Sequence, residues 1–130
     1  MLMKNILAID DDPINRQLLE IYLKGNFVYK IVNNARQALE TLKNETFDAV
    51  VTDVNLEGDE DGIWLGKRIK ATPQFEHLPV IAFTAHMASH INNENAASAF
   101  DHIIVKPVLK NQFIERINEI LLQEYPSTTH

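Results

Sequence analysis

Ile6-Leu7-Ala8-Ile9-Asp10-Asp11-Asp12-Pro13 passes from an unbroken apolar run into three carboxylates and a proline. A short apolar run closed by turn residues reads as a strand buried on both faces of a parallel sheet. Asp12-Pro13 then reads as a helix start, a capping carboxylate followed by proline at the first helical position. One stretch therefore spells strand, acidic turn and helix. The same grammar recurs further along. Phe47-Asp48-Ala49-Val50-Val51-Thr52 runs into Asp53, Val80-Ile81-Ala82-Phe83 into Thr84, and Ile103-Ile104-Val105 into Lys106-Pro107. In parallel α/β sheets, ligands bind beyond the carboxyl ends of the strands, where the strand order reverses. Carboxylates, a hydroxyl and an ammonium are thus expected along one sheet edge.

The segments between these runs read as alternating helices and strands. Ile14, Leu18, Leu19, Ile21 and Tyr22 repeat with helical spacing, and Gly25 is the expected stop. Phe27 to Val32 reads as the second strand. Asn34 with Gln37 three residues on resembles a capping box, opening a helix through Ala38, Leu39 and Leu42. A third helix is expected from Asp61-Gly62 through Ile63, Leu65 and Ile69, ending before Pro73. A fourth is expected between His86 and Phe100, where three asparagines lower the propensity. The last runs from about Lys110 to Glu124, with Phe113, Ile117, Ile120 and Leu121 on one face. Parallel strands need right-handed crossover helices. The expectation is a doubly wound α/β domain over residues 1–125, with five parallel strands and five helices, and a frayed polar tail over 126–130.

The bulk composition narrows the function. The chain has 130 residues, 45% of them apolar and 23% charged, enough for one domain with its own core. It has no cysteine, so a disulfide frame and a thiolate zinc site are excluded. The apolar N-terminal stretch is too short for a signal peptide or a membrane span, and a cytoplasmic protein is expected. A net charge of −6 disfavours nucleic-acid binding through a basic surface. Much of that charge sits in Asp10 to Asp12 and in Glu57, Asp59, Glu60 and Asp61.

Each polar strand terminus has a structural and a chemical reading. Asp53 alone serves equally as a turn residue, and Asp10 and Asp11 as acids favouring a helix N-terminus. Clustered together, three carboxylates repel one another unless a cation intervenes. An open, oxygen-rich site with two carboxylate ligands suits Mg²⁺, or Mn²⁺ in its place. A carboxylate nucleophile forming an acyl phosphate is a known route in phosphoryl transfer. Thr84 is either a strand terminus or a hydroxyl donor to a phosphoryl oxygen. Lys106 is either a surface lysine or the charged partner of another such oxygen, held in direction by Pro107. His86 and His90 lie four apart without a third ligand nearby and read as solvated. Trp64, between Ile63 and Leu65, reads as a packing residue.

The ordered set Ile9-Asp10-Asp11, Asp53, Thr84-Ala85 and Lys106-Pro107 resembles the receiver domain of bacterial two-component response regulators. It spans Met3 to about Glu124, and Asp12-Pro13-Ile14-Asn15-Arg16 is similar to receivers that work with hybrid histidine kinases. The resemblance implies a flavodoxin-like sheet of order 2-1-3-4-5. It implies that Asp53 accepts a phosphoryl group from the phosphohistidine of a kinase or phosphotransfer domain, in a Mg²⁺-dependent reaction. Asp10, Asp11, Asp53 and the backbone carbonyl of Asn55 would hold the metal. Lys106, Thr84 and the N–H of Ala85 would contact the phosphoryl group.

Such a domain is not an enzyme acting on a separate substrate. It catalyses its own phosphorylation and dephosphorylation and switches a face built from the fourth helix, fifth strand and fifth helix. A downstream protein, or a second copy in a phosphorylation-dependent dimer, would bind there; neither nucleic acid nor membrane is an expected partner. Asn55 and His86 are expected to tune dephosphorylation.

The chain departs from the family pattern at three places. The loop Leu56 to Gly62 is one residue longer, with Glu57 where proline is common. Ile103 stands at the usual aromatic switch position, and Ala99 where a glycine is common. Two rivals remain: a receiver-like interaction module independent of phosphate, and a haloacid-dehalogenase-like phosphatase with Asp10 as nucleophile.

Overall fold

The computed structural model describes residues 3–85 and 97–124. Five strands form one parallel sheet in the order β2-β1-β3-β4-β5: β1 (Asn5–Ile9), β2 (Val28–Val32), β3 (Ala49–Thr52), β4 (Val80–Thr84) and β5 (His102–Val105). The expected order is found. Strand boundaries shift slightly: Phe27, Phe47 and Leu78 are buried just ahead of their strands rather than inside them.

Four α-helices lie among the described residues: α1 (Pro13–Leu23), α2 (Ala35–Asn44), α3 (Gly62–Ala71) and α4 (Lys110–Glu124). A 3₁₀ turn at Pro73–Phe75 follows α3. Residues 86–96, which carry most of the additional helix expected from His86 to Phe100, lie outside the described residues, as does the tail expected at 126–130. So do His86 and His90.

Side-chain caps start α1, α2 and α3. Asp12 accepts from the Ile14 N–H and Asp61 from the Trp64 N–H. Asn34 accepts from the Gln37 N–H at 2.8 Å, while the Gln37 amide reaches past Asn34 to the N–H of Asn33 at 3.0 Å. The box is therefore displaced by one residue on its return side. Gly25 has φ +84°, the left-handed conformation that glycine accommodates after a helix end.

Two apolar layers sandwich the sheet. On one face Ala38 and Leu42 of α2 and Leu65 and Ile69 of α3 cover Leu7, Val50 and Val80. On the other, Leu19 and Leu23 of α1 and Phe113, Ile117 and Ile120 of α4 cover Ile6, Val51 and Ile81. α1 departs from the sequence expectation. Leu19 and Leu23 are buried, but Ile14, Leu18 and Ile21 face outward, with Ile14 74% and Ile21 58% exposed. Helical spacing identified a helix, and only packing against the sheet decides which stripe it buries.

Candidate functional site

The site is assembled by hydrogen bonds that carry the parallel ladder one residue beyond its strands. The Asp10 N–H donates to the Val32 carbonyl at 3.2 Å, Asp53 N–H to Ile9 at 3.2 Å, and Lys106 N–H to Thr84 at 2.9 Å. Asp10, Asp53 and Lys106 are thereby fixed at one end of the sheet. β1 and β3 are adjacent there, with connections leaving to opposite sides, which is the switch point where open α/β sheets bind ligands.

Lys106 joins the two acids. Its Nζ lies 3.6 Å from Asp10 Oδ2 and 3.6 Å from Asp53 Oδ2. The same ammonium sits 4.8 Å from the centre of the Phe83 ring, a cation–π contact that sequence reading missed. Phe83 immediately precedes Thr84 at the end of β4, and that adjacency was the available signal. The Lys106–Pro107 peptide bond is cis.

Asp10 is the buried member. Only 2% exposed, its Oδ1 accepts from the Asp12 N–H at 3.0 Å, and its carbonyl accepts from Arg16 at 3.0 Å. Burial pushes its carboxyl above the ordinary carboxylate range. The Asp12 N–H and Lys106 act against that shift, and Asp53 adds to it. The Asp53 side chain is 14% exposed, so it is the more accessible of the two carboxylates on Lys106.

Asp11, the next residue along the turn, is directed to the loop after β3. Its Oδ2 accepts from the Glu57 N–H at 2.8 Å, which ties the acidic loop after β3 to the turn after β1. The Asn55 N–H donates to Asp53 Oδ1 at 3.1 Å, and Asn55 is exposed. Thr84 is fully buried at the end of β4, with Ala85 exposed beside it. Ile103, 39% exposed on β5, pairs in register with Ala82 rather than with Thr84. Ala99 is fully buried against Gly66, where a Cβ on the glycine would meet the Ala99 carbonyl.

Gly62 is a site residue that sequence reading treated only as a helix start. A Cβ there would lie 2.1 Å from the Asp53 carbonyl oxygen, so the first turn of α3 presses directly on the Asp53 backbone. Trp64 packs against the core as expected, and its ring is flanked by two guanidinium groups, Arg68 at 4.9 Å and Arg36 at 5.7 Å.

The donors suit a hard divalent cation. Asp10, Asp11 and Asp53 offer carboxylate oxygens, and the raised pKa of Asp10 marks an anion that a cation would relieve. Among the described residues, no three acidic or imidazole side chains form a ready-made ligand cluster, since Asp11 is turned to the Glu57 N–H. A carboxylate has a second oxygen to offer, so this contact leaves Asp11 able to contribute.

The family model for the response regulator receiver domain matches residues 6–118. The chain belongs to the response regulator receiver family. This receiver is 34% identical over 117 residues to the chemotaxis protein CheY-3 of Vibrio cholerae, covering 88% of this chain and 89% of that one. It is 37% identical over 105 residues to the sensor protein TorS of Escherichia coli, covering 79% of this chain but only 11% of TorS. A sensor protein from Polaromonas sp. JS666 superposes with a TM-score of 0.83 at 26% identity, covering 93% of this receiver and 98% of that chain. The receiver domain of a Pseudomonas aeruginosa histidine kinase, described with magnesium in its active site cleft, superposes with a TM-score of 0.80 at 24% identity, covering 96% of this receiver and 99% of that chain. The receiver is therefore a phosphorelay signalling domain, and a phosphoacceptor role fits its family. Among its described residues, no helix is long and apolar enough to cross a membrane.

Proposed function

We propose that Asp53 is the phosphoacceptor, taking the group from the phosphohistidine of a kinase or phosphotransfer domain. The observation that carries this is the Lys106 ammonium, 3.6 Å from both Asp10 and Asp53, at a switch point where Asp53 is the more accessible acid. An Asp53 oxygen attacks phosphorus as the phosphorus–nitrogen bond of the donor breaks, and the bonding pair returns to the imidazole. The product is an acyl phosphate. Lys106 is placed to neutralise charge on the transferred oxygens, and the Thr84 hydroxyl and the Ala85 N–H are the proposed further donors.

Asp10, Asp11, Asp53 and the Asn55 carbonyl are the proposed holders of Mg²⁺ or Mn²⁺. Bound there, the ion would screen the carboxylates and polarise the phosphoryl group. Hydrolysis of the acyl phosphate by water returns Asp53, with Asn55 and His86 proposed to set its rate.

The donor's docking surface is proposed on α1. Ile14, Leu18 and Ile21 form an exposed apolar stripe on the helix that begins directly after Asp12. Spacing of four and three residues places them on one helical face, the pattern that accepts an apolar helix stripe from a partner.

Downstream, the added charge biases a two-state equilibrium in the face that includes β5 and α4. Ile103 there presents an apolar side chain to a target, or to a second copy of the receiver. The cytoplasm is the proposed setting.

The test is an intact mass measurement after incubation with acetyl phosphate and Mg²⁺. One phosphoryl group should add to the wild type and none to Asp53→Asn. An adduct that persists unchanged in the variant overturns the assignment.

A further inference from the structure

We propose that the groove between α2 and α3 docks an acidic segment of a partner protein bearing an apolar anchor. The groove encloses about 420 Å³ and lies on the flank of the sheet opposite α1 and α4. Leu39 and Phe75 pack one side against the core and leave the other to line the groove. A second hollow of about 250 Å³ shares Gln74 and Phe75 with it and continues toward Leu42, Phe47 and Leu78. An apolar side chain entering the groove therefore meets an apolar floor.

Charge selects the kind of segment. The whole chain carries −6, yet the groove is lined by Arg36, Lys43 and Arg68 against Glu40, and with Arg36 paired to Glu60 the balance there is one positive charge. This is a local reversal of sign, and an acidic partner is steered to the Lys43 and Arg68 side, away from the acidic loop that Arg36 adjoins. Lys43 and Arg68 are the cations available to a partner's carboxylates. Arg36 already holds a carboxylate of this chain, with its Nε and a terminal nitrogen 2.8 and 2.7 Å from Glu60 Oε2. Arg68 is stacked over Trp64, and no carboxylate of the described residues pairs with it. Among the described residues, Lys43 pairs with the distant Glu40 alone, at 4.0 Å. A guanidinium held by an aromatic face loses little freedom when it binds a carboxylate.

The experiment uses the full chain and a fluorescein-labelled helical peptide of glutamates around one phenylalanine. A copy with lysine in place of glutamate is the control. The acidic peptide should bind and the lysine copy should not, with backbone amide resonances shifting within Ala35–Asn44 and Gly62–Ala71. The double reversal Lys43→Glu with Arg68→Glu should weaken binding by about tenfold or more. Lys43→Gln, at an exposed position, supplies the comparison if the double variant fails to fold, with a smaller loss in the same direction. Equal binding of both peptides, unchanged affinity in the variants, or shifts gathered on α1 would overturn the proposal. So would self-association or oligonucleotide binding that the charge reversals abolish, while the acidic peptide fails to bind.

Discussion

Replacing Gly62 by alanine drives a methyl group into the backbone of Asp53. The added Cβ would stand 2.1 Å from the Asp53 carbonyl oxygen and 2.9 Å from Val54 Cα, where ordinary contact begins at 3.4 Å. No flexible side chain can yield, because the atoms met are backbone. The Gly62 N–H also donates to the Val54 carbonyl at 3.0 Å, which keeps the two segments together. Relief therefore requires a backbone shift of roughly 1 Å, and overpacking of this kind costs about 1–3 kcal/mol or more. In a chain of this length that lowers Tm by roughly 5–10 °C, measured by circular dichroism.

The same shift displaces Asp53 from Lys106, and misplacement by about 1 Å can slow a reaction roughly 100-fold. Labelling by acetyl phosphate, followed by intact mass, should fall by that order. Gly58→Ala is the control. Gly58 has φ +84° and nothing within 4 Å of its added Cβ, so the change should cost about 1–2 kcal/mol of backbone strain and spare labelling. A Gly62→Ala protein that melts and labels like the wild type would refute the reasoning.

Three further outcomes follow from the geometry. Asp10 has a folded-state pKa above its unfolded value, so the native state binds the extra proton and the metal-free chain gains stability as pH falls from neutral toward the unfolded pKa. Asp10→Asn should raise Tm near neutral pH and flatten that slope in thermal melts, while metal titration shows weakened Mg²⁺ affinity; an unchanged slope would contradict the account of burial. Asp101 accepts from the buried Val80 N–H at 2.8 Å and pairs with Lys70, so Asp101→Ala should cost about 1–3 kcal/mol in urea unfolding. Ile14→Asp should slow transfer from a phosphohistidine protein and leave labelling by acetyl phosphate unchanged; equal slowing of both would remove α1 as the docking helix.

Much of the fold was legible because its signals are local. Asp12, Asn34 and Asp61 cap helices through N–H groups two or three residues away, within the span that a sequence window covers. The strand termini placed Asp10, Asp53 and Lys106 together because a parallel sheet aligns its carboxyl ends. What escaped depends on contacts between distant segments. Ile14, Leu18 and Ile21 share helical spacing with Leu19 and Tyr22, so periodicity alone could not separate the outer stripe from the buried one. The Lys106 contact with Phe83 joins β4 to the segment after β5. The Asp11 bond to Glu57 spans two loops, and the pressure of Gly62 on Asp53 follows from the path of one loop.

The shared position of Lys106 sets the charge balance of the whole pocket. One ammonium divided between Asp10 and Asp53, with Asp11 in the adjoining turn, leaves a net charge of −2 when all three acids are ionised. A single divalent cation cancels that imbalance, and a monovalent one does not. With Asp53 as the proposed acceptor, phosphorylation would replace its carboxylate charge with the larger charge of a phosphoryl group. A pocket so loaded would be neutral before transfer and anionic after it, and that change of charge balance would be the signal available for the rest of the domain to read.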